Sequence, residues 1–222
     1  MNKRNQFYLK LLWLALFAVA MGYLEATVVV YLRELFYPGS FPFPVRTMPP
    51  NLLVIEILRE TATMLMLVAV AVVAGKKLWE RFGFLLILFG IWDIFYYVWL
   101  RAAIGWPASL VDWDILFLIP IPWLSPVIAP ALVALLMIVV GTVITDFYDR
   151  GIAYRPNPTA WLLALAGTSS ILYSFMNNTR PALLNGAPGP YLYSLLLTGL
   201  ILYGLAFFVS VRKVMKNPEE NR

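Results

Sequence analysis

Six apolar runs, each near or above the ~20 residues a helix needs to cross the hydrocarbon core of a bilayer, take up most of this chain. They fall at about 11–36, 51–74, 83–104, 125–144, 159–176 and 191–211. The expected fold is therefore all-α: a six-helix transmembrane bundle forming one domain over 1–222. Composition agrees, because 61% of the residues are hydrophobic and 13% are charged, where a soluble domain is about half apolar and a quarter charged. The first run follows Met1-Asn2-Lys3-Arg4 and carries Glu25. It is too long for the apolar core of a cleaved signal peptide and reads as a helix that stays in the membrane.

Basic residues are distributed so as to fix an orientation. With the N-terminus inside, the inner segments hold Lys3, Arg4, Lys10, Lys76, Lys77, Arg81, Arg150, Arg155, Arg212, Lys213, Lys216 and Arg222, and the outer loops hold Arg46 and Arg180. By the positive-inside rule both termini are cytoplasmic. Short loops suit a bacterial cytoplasmic membrane. The net charge of +5 is spent on these flanks and forms no basic stripe in a soluble segment, so no nucleic-acid partner is expected.

Two residue types are missing altogether. Without cysteine there are no disulfides, thiolate nucleophiles or cysteine-ligated clusters, and without histidine there is no His-ligated metal and no Ser-His-Asp triad. Any metal would need oxygen ligands and would be a hard ion. The sequence predicts neither a metal centre nor a cofactor.

Within the third run, Gly90-Ile91-Trp92-Asp93-Ile94-Phe95-Tyr96-Tyr97-Val98-Trp99-Leu100-Arg101 echoes Gly22-Tyr23-Leu24-Glu25-Ala26-Thr27-Val28-Val29-Val30-Tyr31-Leu32-Arg33 of the first. Both have glycine, an acid three residues on, then valine, an aromatic, leucine and arginine in one register. An aromatic-proline-small-serine step follows each, Tyr37-Pro38-Gly39-Ser40 and Trp106-Pro107-Ala108-Ser109. This reads as duplication of a helical hairpin, helices 1–2 and 3–4. Helices 5–6 would supply a decayed third copy, marked by Gly167, Ser170 and Asn178.

The membrane charges are the candidate site. On helix 2, Glu56, Arg59, Glu60 and Thr63 follow i, i+3, i+4, i+7 spacing and share a face. On helix 3, Gly90, Asp93, Tyr97 and Arg101 do likewise. Depth matching pairs Arg59 with Glu25 and Arg33 with Glu56. A charge at the bilayer centre costs at least ~2.5–3.5 kcal/mol, so such groups turn inward and pair. Acids outnumber bases here, and an unbalanced buried carboxylate must take a proton, bind a cation or reach water. The expected binding residues are Glu25, Glu56, Arg59, Glu60, Asp93, Tyr97 and Arg101, in a cavity open to the outer face.

The connection 109–123 is apolar, with aromatics and several prolines, and suits an interfacial or re-entrant segment. Ser109 and Asp112 resemble a capping box, so a short helix is expected to start there. Asp112, Trp113 and Asp114 would form a lid or an interfacial anchor. Helix 4 is expected to begin at Ser125-Pro126 and helix 2 at an Asn51 cap. Ala18, Gly22 and Ala26 form a small-residue row for close helix approach.

Three functional readings follow. In the first, an outward cavity binds or moves a cation, a proton or a small polar solute. In the second, the chain is a structural or assembly subunit of a larger membrane complex, with a membrane-protein partner or a second copy of itself. In the third, it is a membrane enzyme whose carboxylates and arginines act on the anionic headgroup of a lipid or polyprenyl substrate at the outer leaflet. The lipid bilayer is a partner in all three.

Overall fold

The computed structural model describes residues 2–36, 48–118 and 121–216. The step at Tyr37-Pro38-Gly39-Ser40, Arg46 and Arg222 lie outside the described residues. In chain order the elements are α1 (Lys3–Phe36), α2 (Pro50–Ala74), α3 (Leu78–Ile104), β1 (Trp113–Ile115), β2 (Leu124–Pro126), α4 (Ile128–Asp149), α5 (Pro158–Met176), α6 (Thr179–Asn185) and α7 (Tyr193–Lys216). Among the described residues six helices are long and apolar enough to cross a membrane: α1 to α5 and α7, the fifth span continuing into α6. The chain is an integral membrane protein of the helical class.

All six predicted membrane helices are present, with their ends shifted by local chemistry. The first helix begins at Lys3, two turns before the apolar run, because Lys3-Arg4-Asn5-Gln6-Phe7-Tyr8 contains no helix breaker. At 34 residues it is about 51 Å long, well beyond the ~30 Å hydrocarbon core. The second helix starts at Pro50, so Asn51 lies inside its first turn and caps nothing. The fifth is capped as its sequence directs: Asn157 Oδ1 accepts from the Ala160 amide at 2.7 Å, and Pro158 follows.

The largest departure is the connection after α3. No helix starts at Ser109; instead the Asp112 carboxylate closes a turn, accepting from the Ala108 amide at 2.7 Å and the Ser109 hydroxyl at 2.9 Å. The chain then makes an antiparallel hairpin, with Trp113 opposite Pro126, Asp114 opposite Ser125 and Ile115 opposite Leu124. Further backbone bonds lengthen the ladder in both directions, from Ile128 to Leu110 and from Trp123 to Phe117. Ser125-Pro126 is therefore strand, and α4 starts at Ile128. Proline has no amide to donate, and in a two-stranded ladder, where every strand is an edge, that loss is tolerated.

Packing centres on α3, which lies against α1 on one side and α4 on the other, with α2 beside it. By contrast α1 and α2 touch little. Helices α5 and α7 pair with each other, and α4 and β2 connect them to the rest. Small residues set the close approaches. A Cβ on Gly22 would lie 2.9 Å from the Trp92 carbonyl oxygen, and one on Gly90 would lie 2.5 Å from that of Ala134. Ala18, Gly22 and Ala26 are all buried in the α1–α3 seam.

Gly90→Ala should therefore destabilise the bundle by roughly 1–3 kcal/mol, the usual cost of overpacking, because the methyl meets backbone that cannot yield. At Gly204 a Cβ meets nothing within 4 Å, so Gly204→Ala should be neutral or slightly stabilising. Thermal unfolding of both variants in one detergent tests the contrast, and equal losses would contradict close α3–α4 packing.

Candidate functional site

Glu56, Glu60, Thr63, Leu67 and Ala71 form the buried stripe of α2. Its first half is polar, and it meets α1 at Glu25. From between these acids Arg59 reaches both: Nε donates to Glu56 Oε2 at 2.9 Å and Nη2 to Glu56 Oε1 at 2.6 Å, while Nη1 is paired with Glu25. The fork on Glu56 is the bidentate geometry that suits a guanidinium. Thr63 Oγ1 lies 3.4 Å from the same Glu25 oxygen. The expected Arg59–Glu25 pair is present; one guanidinium serves two carboxylates.

Arg33 does not pair with Glu56, as depth matching had suggested. It is buried, its Nη2 lies 3.4 Å from Asp114 Oδ1, and its guanidinium stacks 3.6 Å from the centroid of Trp106. Glu56 is already held by Arg59, and the hairpin brings Asp114 to Arg33 from the other side. The Tyr96 hydroxyl donates to Asp114 Oδ2 at 3.3 Å. Tyr97 faces the same carboxylate without closing a hydrogen bond to it.

Glu60 has no guanidinium. Its Oε2 accepts from the Leu118 amide at 3.3 Å, at the far end of the hairpin ladder. Asp93 is more isolated still: Oδ2 is buried with no hydrogen-bond partner among the described residues, within electrostatic reach of Asp114. Arg101 is not brought to the cluster. It is exposed at the end of α3 and donates to the carbonyls of Gly105 and Pro107. Asp112 closes its turn near the surface, and Trp113 packs edge-on against Tyr191, centroids 5.9 Å apart.

The site thus gathers Glu25, Glu56, Arg59, Glu60, Asp93, Tyr97 and Asp114 from the sequence expectation, and adds Arg33, Tyr96 and Trp106. Five carboxylates face two guanidiniums. These contacts join residues 34 and 81 positions apart, so spacing within one helix could not reveal them.

This constellation of buried charge defines a polytopic membrane protein with an ionisable intramembrane cluster. No family model, curated protein or solved structure matches the chain.

Two expectations follow. Arg59→Met strands Glu25 and Glu56, and loss of one member of a buried pair typically costs about 3–5 kcal/mol. Adding Glu25→Gln should restore part of that stability, as read by thermal unfolding. For Asp114, outside the six spans, burial outweighs the nearby Arg33 and pushes the carboxyl from its ordinary 3.8 up to about 6. A folded-state value raised this way contributes stability that is full below 3.8 and lost as pH rises through about 6. Wild type should therefore lose more stability between about pH 4 and about pH 7 than Asp114→Asn; parallel pH profiles would contradict this.

Proposed function

We propose that the charged cluster is a protonation site, and that the protein binds and moves protons, or a small cation in their place, through the outer half of the membrane. One observation carries this reading: the cluster holds five carboxylates against two guanidiniums, Glu56, Glu60 and Asp114 buried and Glu25 and Asp93 half-buried, with Asp93 Oδ2 itself buried and unpartnered among the described residues. An excess of that size is tolerable in a bilayer only if protons or cations neutralise it. The acids are also spread out. Glu25 and Glu56 share Arg59, Asp114 has Arg33, Glu60 has a backbone amide and Asp93 stands apart. Separate carboxyls in separate surroundings suit stepwise titration better than a single multidentate metal cage.

Glu60 couples that titration to structure. As a carboxylate it accepts a charge-assisted bond from Leu118; once protonated it holds that amide more weakly and loosens the hairpin from α2. Asp93, without a fixed donor, is the residue best suited to take up and release the proton. The basic flanks support an arrangement with both termini cytoplasmic, in a bacterial inner membrane, which turns the hairpin and cluster outward. Duplication of the α1–α2 and α3–α4 hairpins is supported by the matched roles of Gly22 and Gly90 at helix crossings, each with an acid three residues on.

The test is infrared titration of reconstituted protein, together with proton flux into proteoliposomes carrying an entrapped pH dye. Wild type should show pH-dependent protonated-carboxyl absorption and flux under an imposed potential. Asp93→Asn and Glu60→Gln should each remove part of that absorption and most of the flux, while unfolding temperature stays near wild type. Unchanged titration and flux, with only the unfolding temperature altered, would make the cluster a packing device and favour the complex-subunit reading.

A further inference from the structure

At the end of the bundle away from the hairpin lies a second polar feature, built by the two turns of α1 that precede its apolar run. Lys3, Gln6, Phe7 and Lys10 follow i, i+3, i+4, i+7 spacing along one face of α1. That face borders a cavity of about 470 Å³ whose other walls are Lys76, Lys77 and Glu80, at the bend between α2 and α3, and Tyr148, Asp149 and Gly151 to Ala153, at and after the end of α4. Four ammonium groups and two carboxylates therefore line it.

The carboxylates are committed elsewhere. Glu80 Oε2 accepts from the backbone amides of Lys76 and Lys77 at 2.7 and 3.3 Å, capping the start of α3. Asp149 Oδ2 is held by Arg4 at 3.1 Å. None of the four lysines makes an ion pair among the described residues. Lys3 and Lys10 donate to the Asp149 and Ala74 carbonyls, at 3.0 and 3.1 Å, and Lys10 lies 5.0 Å over the Phe84 ring. These contacts hold the ammonium groups in place without neutralising them.

We propose that this cavity binds the phosphate of an anionic phospholipid headgroup. The chemistry required is a monoanionic or dianionic phosphate ester, met by several ammonium donors. A lipid is favoured over a soluble ester because the cavity lies where four membrane helices end, and Phe7, Ile152 and Ala153 give its lining an apolar side beside the ammonium groups. Basic pockets between helix ends at one membrane face are the usual geometry for such headgroups.

The experiment is native mass spectrometry of the full chain released from nanodiscs of mixed phosphatidylglycerol and phosphatidylcholine. Wild type should retain one phosphatidylglycerol in preference to phosphatidylcholine. Lys76→Gln with Lys77→Gln should weaken that retention about thirtyfold, at roughly the contribution of two surface lysines. Lys76→Arg with Lys77→Arg should restore it. Arg212→Gln with Lys213→Gln removes the same charge from α7, outside the cavity, and should leave retention intact. The proposal is overturned if that control loses as much as the cavity variant, or if no lipid preference is seen. It is equally overturned if glycerol phosphate alone binds as tightly as the lipid, which would make the ligand a soluble ester.

Discussion

The tie between α2 and α1 depends on one guanidinium, while α3 receives the apolar half of α2 through Leu67 and Ala71. Arg59 projects from beside the stripe that α2 buries, and the N-terminal half of that stripe, Glu56, Glu60 and Thr63, is polar where a membrane helix would ordinarily present leucine. Lipid tails are as apolar as leucine side chains, so hydrophobicity alone gives a membrane helix no reason to prefer protein to lipid. Charge does give one. In lipid, Glu25, Glu56 and Arg59 would each be a costly isolated ion; brought together they form a fork and a pair. Since α1 and α2 otherwise touch little, this network sets their relation.

The hairpin solves a second problem of the same kind. Non-helical backbone packed against membrane helices is stable where protein covers it and its amides find acceptors. Here the strands pair with each other from Leu110 and Ile128 as far as Phe117 and Trp123. At the far end, the Leu118 amide goes to Glu60 and the Pro122 carbonyl accepts from Thr179. In the middle, Asp114 is fastened by Arg33 and Tyr96. The hairpin is thus attached through the same carboxylates and guanidiniums that make up the cluster. A change of protonation at Glu60 or Asp114 changes what holds it, so chemistry and conformation share their contacts.

How far the sequence could be read follows from the range over which each signal acts. The six spans depend on apolar runs that any window displays, and they are where the runs predict them. The Gly22 row and the partners Arg59 and Glu25 were legible because helical register fixes depth, and depth limits who can meet whom. The hairpin was not legible. Its strands are three residues each, and Ser109, Asp112, Ser125 and Pro126 all occur in helix starts as readily as in turns. What decides between the two is pairing across the connection, which no local pattern encodes. Arg33 was misassigned for the same reason: its partner Asp114 lies on the element that was not foreseen. Lys3 and Lys10 read only as topology signals, because the apolar run, and not the helix, was taken to mark where α1 begins.

The two ends of the bundle carry opposite imbalances and differ in what can balance them. At the hairpin end the excess is acidic and buried, with Asp93 Oδ2 and Asp114 shielded from solvent. Only something small enough to enter a packed interior can neutralise it, and the proton is the smallest. At the opposite end the excess is basic, and Lys3, Lys76 and Lys77 are exposed around an open cavity. There a large anion can approach from the membrane surface without any helix moving. Burial, more than the sign of the charge, therefore separates the two proposed ligands: a carboxylate cluster packed among helices would select for size, and an open ring of ammonium groups for charge and for an anchor in the neighbouring lipid.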